Sequence, residues 1–130
     1  MKVVIVDDEE DVRALFEQRF RREVRAGQVE LFFALSAEGA LQLLEQRGVA
    51  DIVLILSDIN MPGMNGLELL KALKTRYPHL KVYMITAYAD EENHQRAVAY
   101  GCDDYLTKPI DFNVLRVRMG LTDGRPAPAG

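Results

Sequence analysis

Five short apolar runs, alternating with helical patterns, constrain the fold of this chain more than any other feature. Residues 2–6, 29–35, 52–56, 81–85 and 104–107 read as strands, and several are continuously apolar rather than alternating. Strands of that kind are covered on both faces. Between them, apolar residues recur at helical spacing: Val12, Leu15, Phe16 and Phe20 in the first pattern, Ala37, Ala40, Leu41 and Leu44 in the second, Leu67, Leu70 and Leu73 in the third. Each set forms a stripe on one side of a helix. Ser36, Asn65, Asp90 and Asp111 stand where N-caps are needed, and Glu68 has the capping-box spacing from Asn65. Gly48 and Gly101 follow helical stretches as stops. Five β-α units in strict alternation predict an α/β fold, a doubly wound parallel sheet with helices on both faces, joined by right-handed crossovers.

At 130 residues the chain has room for one such domain. From Gly120 the pattern lapses into a Pro- and Gly-rich stretch, so residues 1–119 are read as the domain and 120–130 as a tail or the start of a linker. The last helix, from Asp111 to about Met119, is short for its place. The lone Cys102 cannot form an intramolecular disulfide, and the first apolar run passes directly into Asp7, Asp8, Glu9, Glu10 and Asp11, unlike a signal peptide. No apolar stretch approaches the ~20 residues that cross a bilayer. A cytoplasmic protein without membrane contact is expected. A net charge of −4 argues against binding nucleic acid through its phosphates. Arg19, Arg21, Arg22 and Arg25 crowd one segment, but Glu17 and Glu23 are interleaved. The segment reads as the solvated end of the first helix, its cations complementing the helix C-terminus.

In an open parallel sheet, functional groups collect beyond the carboxyl ends of the strands. Here the first strand is followed by Asp7-Asp8, the third by Asp58 and Asn60, the fourth by Thr86-Ala87, and the fifth ends in Thr107 before Lys108-Pro109. If the first and third strands are neighbours, the carboxylates of Asp7, Asp8 and Asp58 share one small volume and repel unless a cation intervenes. Carboxylate and carbonyl oxygens suit Mg²⁺, with Asp7, Asp8, Asp58 and the Asn60 main-chain carbonyl as candidate ligands. An ammonium at Lys108 and a hydroxyl at Thr86 suit a tetrahedral oxyanion such as a phosphoryl group. No Ser-His or Cys-His arrangement offers another nucleophile, so a carboxylate is expected to take that role, and Asp58 is placed for it. His79 and His94 have no metal-ligand spacing and are expected at the surface; Cys102 is read as a small buried side chain or an idle thiol. Taken alone, Asp7-Asp8 could equally be a helix cap and Met61-Pro62-Gly63-Met64 a plain turn.

Val-Asp-Asp-Glu at 6–9, Ser-Asp-Ile-Asn-Met-Pro-Gly-Met-Asn-Gly at 57–66, Ile-Thr-Ala at 85–87 and Asp-Tyr-Leu-Thr-Lys-Pro at 104–109 together resemble the receiver domains of two-component response regulators, in that family's order and spacing. The resemblance covers residues 1 to about 119. It implies a CheY-like strand order of 2-1-3-4-5, a phosphoacceptor at Asp58, Mg²⁺ held by Asp7, Asp8, Asp58 and the Asn60 carbonyl, and a phosphate-contacting Lys108. It also implies that Thr86 and Tyr105 form a switch pair, that Ala87 leaves room for the phosphoryl group and offers its amide, and that Lys108-Pro109 is a candidate cis peptide. Switching would alter the face made by the fourth helix, fifth strand and fifth helix, a two-state element biased by a local charge event. The implied partners are a sensor histidine kinase or histidine phosphotransfer protein and a downstream target or output domain. A homodimer is left open. The protein would catalyse only its own phosphorylation and dephosphorylation. Tyr88 is bulky where, in this family, a side chain can obstruct the attacking water, so slow self-hydrolysis is expected.

Aspartate-based phosphatases of the haloacid dehalogenase type resemble the same residue set with the nucleophile on the first strand and an acid two residues later. Here the acidic pair comes first, and Asn60 stands in place of that acid. A pseudo-receiver would lack an acid, the lysine or the threonine. A nucleotide-binding flavodoxin-like module would carry a Gly-rich loop after the first strand.

Overall fold

A computed structural model describes residues 1–87 and 90–121. Its elements in chain order are β1 (Lys2–Val6), α1 (Glu10–Arg19), α2 (Arg21–Arg25), β2 (Glu30–Ala34), α3 (Ala37–Arg47), β3 (Ile52–Asp58), α4 (Gly66–Arg76), β4 (Lys81–Thr86), α5 (Glu91–Ala99), β5 (Asp104–Thr107) and α6 (Phe112–Arg118). The strands form one parallel sheet in the order β2-β1-β3-β4-β5. Burial follows position: β1, β3 and β4 are the continuously apolar central strands, whereas the edge strands β2 and β5 are only partly covered.

Alternation along the strands divides the interior into two cores. Val4 and Val6 of β1 join Ile55, Val82 and Met84 under α3, α4 and α5, packed on Leu44, Leu70, Leu73 and Ala97. Val3 and Ile5 face the opposite way, with Leu54, Leu56 and Ile85, and are covered by Phe16, Phe20, Phe112 and Leu115 of the α1–α2 and α6 layer. Phe16 and Phe20 stack at 5.9 Å, and Phe112 meets both edge-on at 5.3 and 6.0 Å. Such aromatic pairs contribute beyond the area they bury.

Ser36, Asn65, Asp90 and Asp111 all cap as their positions predict, Asn65 with Glu68 in a complete capping box. Gly48 at φ 78° and Gly101 at φ 89° take the left-handed backbone that ends α3 and α5. The N-cap of α1 is Glu9, and no side chain caps it. Asp7 instead accepts the Glu9 N–H at 3.0 Å, so the acidic pair is not a helix cap.

The arginine-rich segment departs from its reading as the end of one helix. The helix stops at Arg19, Phe20 leaves helical geometry (φ −107°, ψ 17°), and Arg21–Arg25 forms a separate turn-and-a-half. Arg116 of α6 donates to the Arg19 carbonyl at this break. Glu23 is not on a solvated face either: it is buried and accepts from Arg116 Nε at 2.9 Å. Leu15, expected in the core stripe of α1, is exposed. No helix among the described residues is long and apolar enough to cross a membrane.

Candidate functional site

Register brings the candidate residues together. Val6 of β1 lies opposite Ser57 of β3, which sets Asp7 beside Asp58; Asp58 in turn lies opposite Ile85, one residue before Thr86. Both ladders run further than the apolar runs predict, so Asp58 and Thr86 are the last residues of their strands and not loop residues. The Ile59 N–H donates to the Ile85 carbonyl at 3.1 Å, and the Lys108 N–H to the Thr86 carbonyl at 2.8 Å. These bonds tie the ends of β3, β4 and β5 into one rim.

On that rim Asp7, Asp8 and Asp58 each offer a carboxylate oxygen, all within 4.8 Å of one another. Asp7 and Asp58 are 6% and 7% exposed, while Asp8 is open to solvent. Lys108 Nζ donates to Asp7 Oδ2 at 3.0 Å and to Asp58 Oδ2 at 3.3 Å. The Asn60 N–H points at Asp58 Oδ1 at 3.4 Å. Thr86 is fully buried, Ala87 is exposed, and Lys108-Pro109 is cis.

The electrostatics follow from this arrangement. Burial pushes the Asp58 carboxyl above the ordinary carboxylate range; Lys108 pulls it back and the Asp7 charge pushes it up again. For Lys108, burial acts to lower its pKa, but the hydrogen bond it donates to Asp7 and the charges of Asp58 and Asp7 outweigh that and hold it raised. Three carboxylates against one ammonium leave two negative charges uncompensated. A hard divalent cation with oxygen ligands fits that donor set.

Tyr105 and His94 form a contact the sequence did not signal. His94 is exposed, as expected, yet its ring stacks on Tyr105 at 4.6 Å and 29°. The Tyr105 hydroxyl is buried without a hydrogen-bond partner among the described residues, and burial raises its pKa, with Asp90 adding to the shift. Also unsignalled is Glu38 of α3, whose carboxylate accepts the Met64 N–H at 3.0 Å in the loop after Asp58. Its partner is 26 residues away, so no local motif could reveal it. A groove of ≈ 540 Å³ runs from Asp58 and Lys108 between α1 and α6, with Val12, Phe16 and Phe112 in its wall. Cys102 is half-buried, which raises its thiol pKa. Tyr88 and most of the tail, residues 122–130, lie outside the described residues.

The sequence model of the family described as response regulator receiver domain matches residues 3–119. The response regulator protein FleR of Pseudomonas aeruginosa is 37% identical over 114 residues, 88% of this chain and 23% of FleR. The chain spans 23% of the length of FleR, and 30% and 22% of two other curated relatives it matches, a cyclic di-GMP phosphodiesterase of Thermotoga maritima and the DNA-binding transcriptional regulator NtrC of Escherichia coli. A CheY-like receiver domain protein from Methanospirillum hungatei superposes with a TM-score of 0.81 at 29% identity, covering 92% of this chain and 90% of that one. TrrA from Thermotoga maritima, a response regulator solved in complex with Mg²⁺ and BeF, gives 0.75 at 26% identity, covering 92% and 96%.

Proposed function

The chain belongs to the response regulator receiver domain family, and from that premise we propose that it is a signalling switch phosphorylated on Asp58. The observation that carries this reading is the setting of Asp58: the last residue of β3, buried, with Lys108 bridging it to Asp7. An Asp58 carboxylate oxygen attacks the donor phosphorus. The new O–P bond forms as the bond from phosphorus to the donor's leaving atom breaks, and that atom takes the electron pair. For a histidine kinase or histidine phosphotransfer protein the leaving atom is an imidazole nitrogen. Lys108, already within reach of Asp58, follows the charge onto a phosphoryl oxygen, while the Ala87 N–H and the Thr86 hydroxyl donate to the remaining oxygens. Catalysis of this kind is mainly positioning and electrostatics.

Asp7, Asp8, Asp58 and the Asn60 carbonyl would hold Mg²⁺, a reading supported by the donor set and by the Mg²⁺ in the related TrrA. When bound, Mg²⁺ supplies the positive charge that the acids and the phosphoryl oxygens need. Thr86 and Tyr105 form the switch: the hydroxyl moves toward the phosphoryl group, and Tyr105 turns out of its stack on His94, altering the α5-β5-α6 face. Residues 1–119 act as the receiver unit, in the cytoplasm, on behalf of a downstream target or output domain. The chain turns over no other substrate.

The test is to incubate the protein with acetyl phosphate, with and without Mg²⁺, and weigh it intact beside Asp58→Ala. One added phosphoryl group is expected only for the wild type with metal. An adduct that persists in the variant removes Asp58 from the role. If neither forms an adduct, a beryllofluoride titration separates a pseudo-receiver, which does not respond, from a phosphoform that decays before it is weighed.

A further inference from the structure

The loop that leaves Asp58 is held at both ends by its own neighbours. The Asn60 N–H points at Asp58 Oδ1, the Gly66 N–H donates to the Ile59 carbonyl at 2.8 Å, and Asn65 and Glu68 exchange the two bonds of the capping box at 2.9 and 3.1 Å. Between those ends, the Met61 side chain is buried and Met64 packs on the same core. Among the described residues, only one hydrogen bond reaches residues 60–64 from an element other than the strand and helix that flank the loop: Glu38 Oε1 of α3 accepts the Met64 N–H at 3.0 Å.

Glu38 is well disposed for this contact. It sits in the first turn of α3, where the helix N-terminus favours a carboxylate. The Met64 N–H, and then its own main-chain N–H, hold its carboxyl below the usual range, so it is ionised at neutral pH. Gly63 allows the approach, because a Cβ on that residue would lie 3.1 Å from Glu38 Oε1, and its φ of 74° disfavours any other residue. Glu38 is outside the group of carboxylates that lie within 4.8 Å of one another, so it acts through the loop and not as a ligand.

From these contacts we infer that Glu38 is a positioning residue for the Mg²⁺ site: by holding Met64 it fixes the 60–64 loop and hence the main-chain carbonyl of Asn60. The inference rests on the proposed role of that carbonyl as a ligand. Mg²⁺ requires near-octahedral geometry and tolerates displaced ligands poorly, and groups that orient ligands without touching the metal typically matter about 10- to 100-fold in affinity. Glu38 acts one step further out and is exposed, which reduces the expected effect. Its exposure also means that truncation opens no cavity in the core.

The test is a Mg²⁺ titration by calorimetry on the full chain, comparing wild type, Glu38→Ala and Glu38→Gln, with hydrogen exchange read at the Met64 amide and a urea midpoint for each. Glu38→Ala is expected to weaken Mg²⁺ binding about three- to tenfold and to deprotect Met64, with the urea midpoint unchanged. Glu38→Gln keeps an oxygen acceptor of the same reach and should stay within about twofold of wild type, as expected for a positioning hydrogen bond. Equal affinity in wild type and Glu38→Ala overturns the inference, as does a Gln variant as weak as the Ala variant, because the long-range charge would then be the cause. If Glu38→Ala does not fold, the Gln variant and the wild-type exchange at Met64 decide: a Met64 amide that exchanges as fast as an open loop overturns the clamp. A wild type that binds no Mg²⁺ at any concentration overturns the metal reading and this inference together.

Discussion

Gly66→Ala is expected to damage both the fold and the site, although the substitution adds a single methyl group to the start of a helix. Gly66 does not need glycine for its backbone conformation, since it is absent from the residues with positive φ. It needs glycine for space. A Cβ there would lie 2.0 Å from the Asp58 carbonyl oxygen, 2.8 Å from Ile59 Cα and 2.9 Å from the Asp58 carbonyl carbon. Carbon atoms pack at about 3.5 Å or more, so a gap of more than about 1 Å must open against backbone on both sides. On one side β3 is locked between β1 and β4; on the other, Gly66 is bonded to Ile59 and α4 is held by its capping box.

Overpacking of this kind costs about 1–3 kcal/mol, and loss of the Gly66–Ile59 bond adds about 1 kcal/mol. Better helix propensity returns at most about 1 kcal/mol. The net expectation is a loss of about 1–3 kcal/mol in urea unfolding followed by far-ultraviolet circular dichroism, a sizeable share of the ~5–15 kcal/mol that holds most domains folded. Because the displaced atoms belong to Asp58, its carboxylate moves with them, and a shift of about 1 Å can cost about 100-fold in rate. Phosphorylation by acetyl phosphate should slow accordingly in the fraction that remains folded. A variant within about 0.5 kcal/mol of wild type, phosphorylated at the wild-type rate, would refute the reasoning.

Two further outcomes follow from buried charge. The raised pKa of Asp58 means that the folded state holds this proton more tightly than the unfolded chain does. Its contribution to stability is therefore full below the unfolded pKa and is lost as pH rises through the folded one. In metal-free buffer, stability should fall with rising pH just above the ordinary carboxylate range, and Asp58→Asn should flatten that fall; an unchanged slope in urea titrations across this window would remove Asp58 as its source. Arg116→Met should cost about 3 kcal/mol, because the buried Glu23, 6% exposed at its side chain, loses its ion-pair partner. Adding Glu23→Leu should recover much of that loss, and a double variant as unstable as Arg116→Met would show that packing, not the stranded charge, was responsible.

The alternation of apolar runs and helical stripes, and the caps at Ser36, Asn65, Asp90 and Asp111, were readable from the sequence because each rests on residues a few positions apart. The acids, Thr86 and Lys108 were readable for a related reason: each stands at the end of a strand, and parallel strands end on the same side. Long-range partners were not legible. The expected single helix is two, α1 and α2, with Arg116 bonded to the Arg19 carbonyl at the break and to Glu23, an acid expected at the surface that is buried. Helical periodicity carries no record of a partner about 90 residues away. Strand pairing likewise carried the ladders on to Asp58 and Thr86, beyond the apolar runs, so register fixes their main chains. The stack of His94 on Tyr105 and the reach of Glu38 to Met64 exist because crossover connections bring separate helices beside the same sheet end. Local chemistry along the chain therefore determined which groups reach the candidate site, and tertiary packing alone decided what holds them in place.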